Sequence, residues 1–360
     1  MARIVVGMSG GVDSSLSAAL LHEQGHEVVG VTMKLWPCAE EDGGFTRTDA
    51  CCSPTETVDA RSVAQRTGVR HYVVDMEQDF RQRVVDGFIA SYRNGETPNP
   101  CVRCNEDIKF GALWQHARQL GADSVATGHY ARVEPALDRL LLRVAADRAK
   151  DQTYFLFSLT QEQLAHARFP VGGLTKEQVR AESRRRGLAT ADKRESQDIC
   201  FIGDGGVKGF LRREIPAAFA PGPIRHHDGR QLGTHQGLAG FTIGQRKGLG
   251  VAWHEPLYVV DLDLKANTVV LGERALLLVE EVRLRACTWH LGALPPRGLE
   301  CRVRTRYRAA AVPATILPLT DAADGALVRF HGAHERPSRG QACVAYDLRD
   351  ELCLGGGWIS

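Results

Sequence analysis

Two cysteines separated by two residues, Cys101 and Cys104, lie in the segment TPNPCVRCNEDIKF at positions 97–110. The pair follows a rigid Asn-Pro corner and coincides with the first turn of a predicted helix. A pair with this spacing can bind a metal ion, form a disulfide, supply a nucleophilic thiolate or pack in a core. A structural zinc site normally has four Cys or His ligands, and the sequence has no second pair with this spacing. A closed zinc site is therefore not expected, and the other uses stay open.

The segment GMSGGVDSS at positions 7–15 has the residue types of an anion-binding loop. It follows a predicted strand and opens a predicted helix, whose first turn offers N–H groups and the positive end of a dipole. Gly10 and Gly11 let the backbone approach an anion closely. The Gly-Lys-Ser/Thr of a Walker loop is absent, which argues against lysine-assisted transfer of a γ-phosphoryl group. We interpret the loop as a cradle for pyrophosphate, in which Asp13 helps to hold Mg²⁺.

A basic stretch at 176–194 is the main local departure from a nearly neutral chain of net charge +2. It contains seven Lys or Arg and three Asp or Glu, and seven minus three gives a local charge of +4. A solvated helix face is one explanation. A phosphate track for RNA that leads to the following segment ESQDICF is the other.

The remaining cysteines are interpreted from the composition of the chain. No apolar run approaches the roughly 18 residues of a membrane helix, and the first residues enter a strand without the features of a signal peptide. We therefore expect a cytoplasmic protein, in which the ten cysteines are not a disulfide framework. Structural or incidental roles are expected for six of them: Cys51, Cys52, Cys287, Cys301, Cys343 and Cys353.

The elements that must position these residues change character along the chain. Short apolar strands alternate with amphipathic helical patterns at the start, which predicts an α/β fold with a doubly wound parallel sheet in residues 1–204. Short strands punctuated by Gly and Pro follow, and they predict two small β-rich, barrel-like domains at 205–280 and 281–360.

The loop at 7–15 resembles that of the PP-loop ATP pyrophosphatases, which split ATP between its α- and β-phosphates and adenylate an oxygen of the substrate. The ordered segments TPNPCVRCNEDIKFGAL, ADSVATGHYAR, KDQTYFL, ESQDICFIGDG, HQGLAGFTIGQRKGLG, VRTRYR and CLGGG span nearly the whole chain. Together they resemble the tRNA-specific 2-thiouridylase family (MnmA). The resemblance implies that ATP, with Mg²⁺, adenylates the 2-oxygen of wobble uridine U34 in the tRNA anticodon stem-loop, and that sulfur then replaces it.

The resemblance also assigns site residues by position. His129 alone would be interpreted as a core histidine, but beside Gly128 at a strand end a contact with tRNA or nucleotide is expected. Nucleotide binding is expected for Gly7, Met8, Ser9, Gly10, Gly11, Val12, Asp13, Ser14, Met33 and Gly128. Contact with tRNA is expected for Asn99, Pro100, Cys101, His129, Lys150, Asp151, Gln152, Arg306, Tyr307 and Gln341.

The resemblance gives the sulfur chemistry to Cys104 and Cys200. In the family, the cysteine at position 200 carries a persulfide delivered by a sulfur-relay or cysteine desulfurase protein, and Cys104 resolves it through a transient disulfide. This chain departs from the pattern, because many members have Asp where Cys101 stands. Three thiolates suit a [4Fe–4S] cluster on Cys101, Cys104 and Cys200 with one iron left open for sulfide. We expect this cluster, with the persulfide route as the alternative.

Two other classes of function remain to be separated from this one. A different PP-loop enzyme, such as an amide-forming synthetase, shares the ATP site but does not need the cysteines. A non-catalytic RNA-binding protein with a relic nucleotide fold does not need the intact loop.

Overall fold

The computed structural model describes residues 1–37, 54–194, 199–203 and 205–360. These residues form two compact units. The first unit consists of Met1–Val85, Pro100–Asp204 and Asp350–Leu354, and the second of Asp86–Asn99, Gly205–Arg349 and Gly355–Ser360. Within the described residues no helix has both the length and the apolar character needed to cross a membrane.

The first unit contains seven complete strands. They are β1 (Arg3–Gly7), β2 (Glu27–Lys34), β3 (Arg70–Asp75), β4 (Ser124–Ala126), β5 (Ala131–Ala136), β6 (Arg139–Val144) and β7 (Ala167–Arg168). The second unit contains β8 (Gly222–His226), β9 (Gln231–His235), β10 (Tyr258–Asp263), β11 (Thr268–Gly272), β12 (Leu278–Trp289), β13 (Leu299–Arg304), β14 (Val312–Pro318), β15 (Ala326–Glu335) and β16 (Ala342–Tyr346). The last strand, β17 (Leu352–Ile359), begins in the first unit and ends in the second.

The helices are mostly in the first unit. They are α1 (Val12–Glu23), α2 (Pro54–Thr67), α3 (Glu77–Phe80), α4 (Asp86–Arg93), α5 (Pro100–Arg103), α6 (Leu113–Gln119), α7 (Gln161–His166), α8 (Lys176–Arg185) and α9 (Gly206–Glu214). The chain continues in π-helical turns at Arg81–Val85 and Cys104–Ala112, and short 3₁₀ turns lie at Thr153–Phe155, Pro216–Phe219, Leu238–Gly240 and Arg274–Leu277.

A five-stranded sheet in the order β3-β2-β1-β4-β7 is the centre of the first unit, and its strand pairs are parallel. Strand β1 is apolar on both faces, as a central parallel strand requires. The chain runs from β1 outward to β2 and β3, and it then crosses to β4 and β7 on the other side. The predicted doubly wound sheet is confirmed, and its switch point lies at the C-terminal ends of β1 and β4.

Helix α1 is enclosed on two sides, which fixes the position of its N-terminus. Ala18 and Leu21 join the core that Ile4 and other strand residues form. The opposite side of the helix, including Val12, joins a second core cluster with Tyr130. A helix buried in this way cannot tilt without losing packing on both sides.

The second unit contains both predicted β-rich parts. Strands β10-β11-β8-β9 form a small sheet in which β8 and β11 are parallel neighbours. Strands β12-β15-β14-β13-β16-β17 form a barrel that closes where β17 pairs with β12. The predicted fold, a parallel sheet followed by two small β domains, is therefore confirmed.

The cysteines of the barrel strands are packing residues, as expected. Cys301, Cys343 and Cys353 are buried, and Cys287 is partly buried. Burial raises the pKa of the Cys287 and Cys301 thiols to about 12, and it raises the pKa of Cys343 strongly as well. Such thiols stay protonated near neutral pH and are poor nucleophiles.

Candidate nucleotide and thiol site

The loop between β1 and α1 has a backbone that only glycine fits at position 10. Gly10 adopts φ +71°, and a Cβ atom there would overlap the carbonyl oxygen of Glu56. The backbone N–H of Ser9 donates to Oγ of Ser14 at 3.2 Å, and this hydroxyl lies 3.2 Å from the Gly11 carbonyl oxygen as a donor. The loop therefore closes on the first turn of α1, where helical N–H groups lack partners within the helix.

Gly128 lies directly against this turn. A Cβ atom at Gly128 would stand 2.5 Å from the backbone nitrogen of Ser14 and 2.7 Å from the carbonyl carbon of Asp13. Met33 lies near the C-terminal end of β2, two residues past Val31, which pairs with Gly7 at the end of β1. The structure thus brings the expected nucleotide residues to the switch point of the sheet, where ligands of such sheets bind.

Asp13 has two partners that the sequence did not indicate. Nζ of Lys176 donates to Oδ1 and Oδ2 of Asp13 at 2.8 and 2.9 Å, and the Tyr130 hydroxyl donates to Oδ1 at 2.8 Å. The Lys176 side chain is 10 % exposed and that of Asp13 is 26 % exposed. The buried ammonium group of Lys176 therefore already neutralises the Asp13 carboxylate, which was expected to help hold Mg²⁺.

Lys193 also contacts the loop, at Gly10. Its Nζ donates to the Gly10 carbonyl oxygen at 3.2 Å and to Oε1 of the buried Glu56 at 2.8 Å, and it also contacts Asp59. Burial lowers the pKa of Lys193, but the hydrogen bonds with Asp59 and Glu56 outweigh it and leave the pKa raised. Lys193 therefore stays charged beside the loop.

The basic stretch at 176–194 uses most of its charge inside the first unit. Arg184 pairs with Asp192 at 2.7 Å, and Arg186 pairs with Glu23 at 2.6 Å. Lys176 is turned inward to Asp13. Of the two explanations considered for this stretch, these contacts do not favour the phosphate track, because several of the charges are paired within the unit.

His129 lies in an aromatic pocket near the loop. Its Nδ1 is 2.7 Å from Oγ1 of Thr127, and its ring contacts Phe110 and Phe169 at centroid distances of 6.4 and 6.1 Å. Burial lowers the pKa of His129 well below its usual value, and the charge of Lys109 adds to the effect. The imidazole is therefore neutral at physiological pH and cannot neutralise a phosphate.

The three residues of the KDQ segment have different surroundings. Asp151 is buried, and its oxygens accept from the Ala145 backbone N–H at 3.0 Å and the Thr153 hydroxyl at 2.7 Å. Gln152 accepts the Tyr130 backbone N–H at 2.9 Å through Oε1. Lys150 is partly exposed. Asp151 and Gln152 thus anchor the segment.

The thiol pair lies where α5 passes into the second π-helical turn. Cys101 is exposed on α5, and Cys104 and Cys200 are partly buried; all three are thiols in the first unit. Asn105 fixes the turn by donating to the Phe155 carbonyl oxygen at 2.9 Å. The π-helical turn was not predicted from the sequence, and such turns are frequent at functional sites.

Among the seven cysteines that the structure describes there is no disulfide. In the same part of the chain, the one group of three or more metal-binding side chains with ligand atoms within 4.8 Å of one another is His226, His227 and Glu273. Cys51 and Cys52 lie outside the described residues.

The other residues expected to contact tRNA belong to the second unit, except Pro100, which is buried at the start of α5. Arg306 is exposed, and Tyr307 and Asn99 are partly buried. Gln341 donates through Nε2 to the Thr97 carbonyl oxygen at 2.7 Å. Its amide thus has a structural partner two residues before Asn99.

The chain is similar to known proteins over nearly its whole length. Residues 2–204 match the family described as tRNA methyl transferase HUP domain, 208–273 its PRC-barrel domain, and 279–359 the aminomethyltransferase beta-barrel domain. The tRNA-specific 2-thiouridylase MnmA of Magnetococcus marinus is 46% identical over 99% of this chain and 98% of its own length. That of Bradyrhizobium sp. is 48% identical over 99% of this chain and 90% of its own. A 4-thiouridine synthetase–RNA complex with bound ATP aligns with 16% identity and a TM-score of 0.35, over 60% of this chain and 50% of that one.

The phosphate-binding loop at the switch point of a parallel sheet, followed by two small β domains, defines a nucleotide-using enzyme of the PP-loop class. The chain is 46% and 48% identical to the two thiouridylases over 99% of its length, which narrows the class to one family. The chain belongs to the tRNA-specific 2-thiouridylase (MnmA) family.

Proposed function

We propose that the protein adenylates the 2-oxygen of U34 in tRNA with ATP, releasing pyrophosphate, and then replaces that oxygen with sulfur, releasing AMP. The observation that carries the proposal is the contact of Gly128 with the first turn of α1, which joins two loops into one nucleotide site. A preformed site of this kind positions the α-phosphate for attack by an oxygen of the substrate.

The nucleotide is bound mainly by the backbone. The N–H groups at the start of α1 and the glycines of the loop accommodate the pyrophosphate part of ATP, with Met33 beside the adenine. Mg²⁺ usually keeps several waters and binds substrate phosphates with only one or two carboxylates. Because Lys176 and Tyr130 already engage Asp13, we assign this carboxylate to orienting the loop, and we assign Mg²⁺ mainly to the phosphate oxygens.

The substrate is a tRNA anticodon stem-loop. Lys150 and Arg306 neutralise phosphates, and Tyr307 stacks on an unpaired base. The neutral imidazole of His129 contributes a hydrogen bond and not a charge. Asn99, Pro100 and Cys101 lie in the segment that faces U34. We place the reaction in the cytoplasm, where protein thiols stay reduced.

Sulfur is handled by Cys101, Cys104 and Cys200. We assign the three thiolates to a [4Fe–4S] cluster, since Cys101 adds a third thiol to the two that the family uses. Such a cluster, when bound, would supply an iron with an open position for a sulfide sulfur. The exposure of Cys101 and partial burial of the other two fit a site that must meet a macromolecular substrate.

A persulfide on Cys200 is the alternative route. Its outer sulfur attacks C2 of the uridine, AMP leaves, and the thiolate of Cys104 then attacks the sulfur of Cys200. This releases the 2-thiouridine and leaves a Cys104–Cys200 disulfide, which an external thiol must reduce. A cysteine desulfurase or sulfur-relay protein supplies the persulfide in this route.

Cys101→Asp separates the two routes, because it installs the residue that many relatives have. The protein is purified without oxygen, and its iron content and colour are measured beside the 2-thiouridine that it forms. The cluster predicts a brown protein with about four irons per chain, and loss of both iron and thiolation in Cys101→Asp. A colourless variant that still thiolates tRNA would establish the persulfide. Cys287→Ser, a change at a packing cysteine, is the control.

Two assays test the proposal against the other classes of function. The wild type should form 2-thiouridine and the alanine variants of Cys104 and Cys200 should not, whereas a different PP-loop synthetase would form none in any of the three proteins. AMP formation that depends on tRNA should be present in the wild type. Its absence would support a non-catalytic RNA-binding protein.

A further inference from the structure

Two histidines and a glutamate meet at one edge of the small sheet in the second unit. His226 ends β8, His227 follows it, and Glu273 follows β11 directly. The two strands are parallel, with His226 opposite Leu271, and the His227 N–H donates to the Leu271 carbonyl oxygen at 2.8 Å. Since the carboxyl ends of parallel strands lie at the same edge, residues 47 positions apart come together.

The atoms of these side chains that can bind a metal face one another. Nε2 of His226 is 3.0 Å from Oε1 of Glu273, and Nε2 of His227 is 3.2 Å from its Oε2. The three ligand atoms lie within 4.8 Å of one another, which no other such group does in the described part of the chain. Two imidazoles and one carboxylate with an open fourth position form a usual ligand set for zinc.

The geometry points to a binding site for a divalent transition metal ion of the zinc class at His226, His227 and Glu273. None of these three residues belongs to the nucleotide and thiol site described above. The ion replaces the direct contacts between the imidazoles and the carboxylate, and it joins the turn after β8 to the segment after β11.

Neighbouring residues already orient His226 for this role. Oδ1 of Asp228 lies 2.9 Å from Nδ1 of His226, although it is not aligned as a hydrogen bond. Asp228 is in turn held by Arg230, whose Nε donates to Oδ2 at 2.8 Å. The ring of Trp253 stacks on His226 at a centroid distance of 4.8 Å. A carboxylate behind one ring nitrogen is the common support of a histidine that binds a metal through the other.

The same distances also suit two ion pairs between protonated histidines and Glu273, so the test must distinguish a metal site from a salt-bridge cluster. Full-length protein is freed of metal with a chelator and titrated calorimetrically with Zn²⁺, and with Mg²⁺ as the second arm. Cys101, Cys104 and Cys200 are changed to Ser in all samples, because thiolates bind zinc well. The affinity for Zn²⁺ is then compared among the parent, His227→Gln, Glu273→Gln, Asp228→Asn and His254→Gln. His254 is an exposed histidine next to Trp253 and serves as the control.

The proposal predicts one Zn²⁺ bound in the parent and in His254→Gln, with no comparable binding of Mg²⁺. His227→Gln and Glu273→Gln should weaken that binding by more than about 100-fold, and Asp228→Asn by about 10–100-fold. Co²⁺ should give a spectrum without thiolate charge-transfer bands. Equal zinc affinity in all variants, or binding seen only with thiolate bands, would overturn the site. Because the His227 side chain is 42 % exposed, its variant should fold even if Glu273→Gln does not.

Discussion

The loop between β1 and α1 (the phosphate loop, residues 7–15) and the segment at 97–110 that carries Cys101 and Cys104 (the thiol segment) differ in how firmly the fold holds them. The loop is fixed from several directions: by the core around α1, by Gly128, by Lys176 and by Lys193. Cys101 instead projects from the short helix α5 into solvent. The difference fits the proposed function, in which a preformed loop binds the nucleotide and Cys101 is the thiol most accessible to a macromolecular substrate.

The largest effect is expected where the rigid region is disturbed directly. Gly128→Ala places a methyl group against the backbone of Ser14 and Asp13, neither of which can move without shifting α1. Displacement of the loop by about 1 Å should reduce tRNA-dependent pyrophosphate release by about 100-fold. Gly173→Ala is the matched control, because a Cβ atom there meets no neighbour within 4 Å. Similar rates in both variants would show that the loop is not held as described.

The buried ion pair should have the next largest effect. Lys176→Met leaves the Asp13 carboxylate without its ammonium partner, and Asp13→Ala leaves the ammonium buried. Removing one partner of a fully buried pair costs about 3–5 kcal/mol, and the partial exposure of Asp13 reduces our expectation to about 2–3 kcal/mol. Urea unfolding of the full chain measures the loss. The double variant Asp13→Ala/Lys176→Met should be more stable than either charge-removing single variant; strictly additive losses would argue against the pair.

The basic residues assigned to tRNA should affect binding and not adenylation of bound substrate. Lys150→Ala and Arg306→Ala should each weaken tRNA binding by about 1–3 kcal/mol if the group is desolvated, and each should reduce the salt slope by about one. Fluorescence anisotropy at several salt concentrations measures both quantities. Arg139→Ala, which removes a partly buried arginine paired with Asp138, is the comparison. Unchanged slopes in both test variants would place the tRNA surface elsewhere.

The smallest effect concerns His129 and pH. Its pKa in the folded protein lies below the value near 6.5 of the unfolded chain, so the unfolded chain binds the proton first as pH falls. Stability should therefore be lost below about pH 6.5, with a contribution of up to about 1.4 kcal/mol per pH unit. His129→Gln should flatten the pH dependence of the unfolding free energy. Parallel curves for wild type and His129→Gln would contradict the assignment.

The contrast between the two regions also explains what the sequence could predict. Gly10 and Asp13 lie in one short segment whose spacing alone indicates a phosphate loop. The partner of Asp13 is 163 residues away, and Lys176 looked like part of a basic surface. Only the tertiary fold decides whether such a lysine points outward or into a core. The histidines and Glu273 were missed for the same reason, since parallel pairing of β8 and β11 is not visible in a local pattern.

The central claim is that adenylation and sulfur transfer reside in these two different regions, and one assay tests it directly. Wild type, Gly128→Ala and Cys200→Ser are incubated with tRNA, ATP and a sulfur source without oxygen. Pyrophosphate is measured with an enzyme-coupled assay, and 2-thiouridine is measured by mass spectrometry of digested tRNA. We predict that Gly128→Ala loses both products, while Cys200→Ser still releases pyrophosphate in the presence of tRNA but forms no 2-thiouridine. Formation of 2-thiouridine by Cys200→Ser, or loss of pyrophosphate release in that variant when it is folded, would contradict the account.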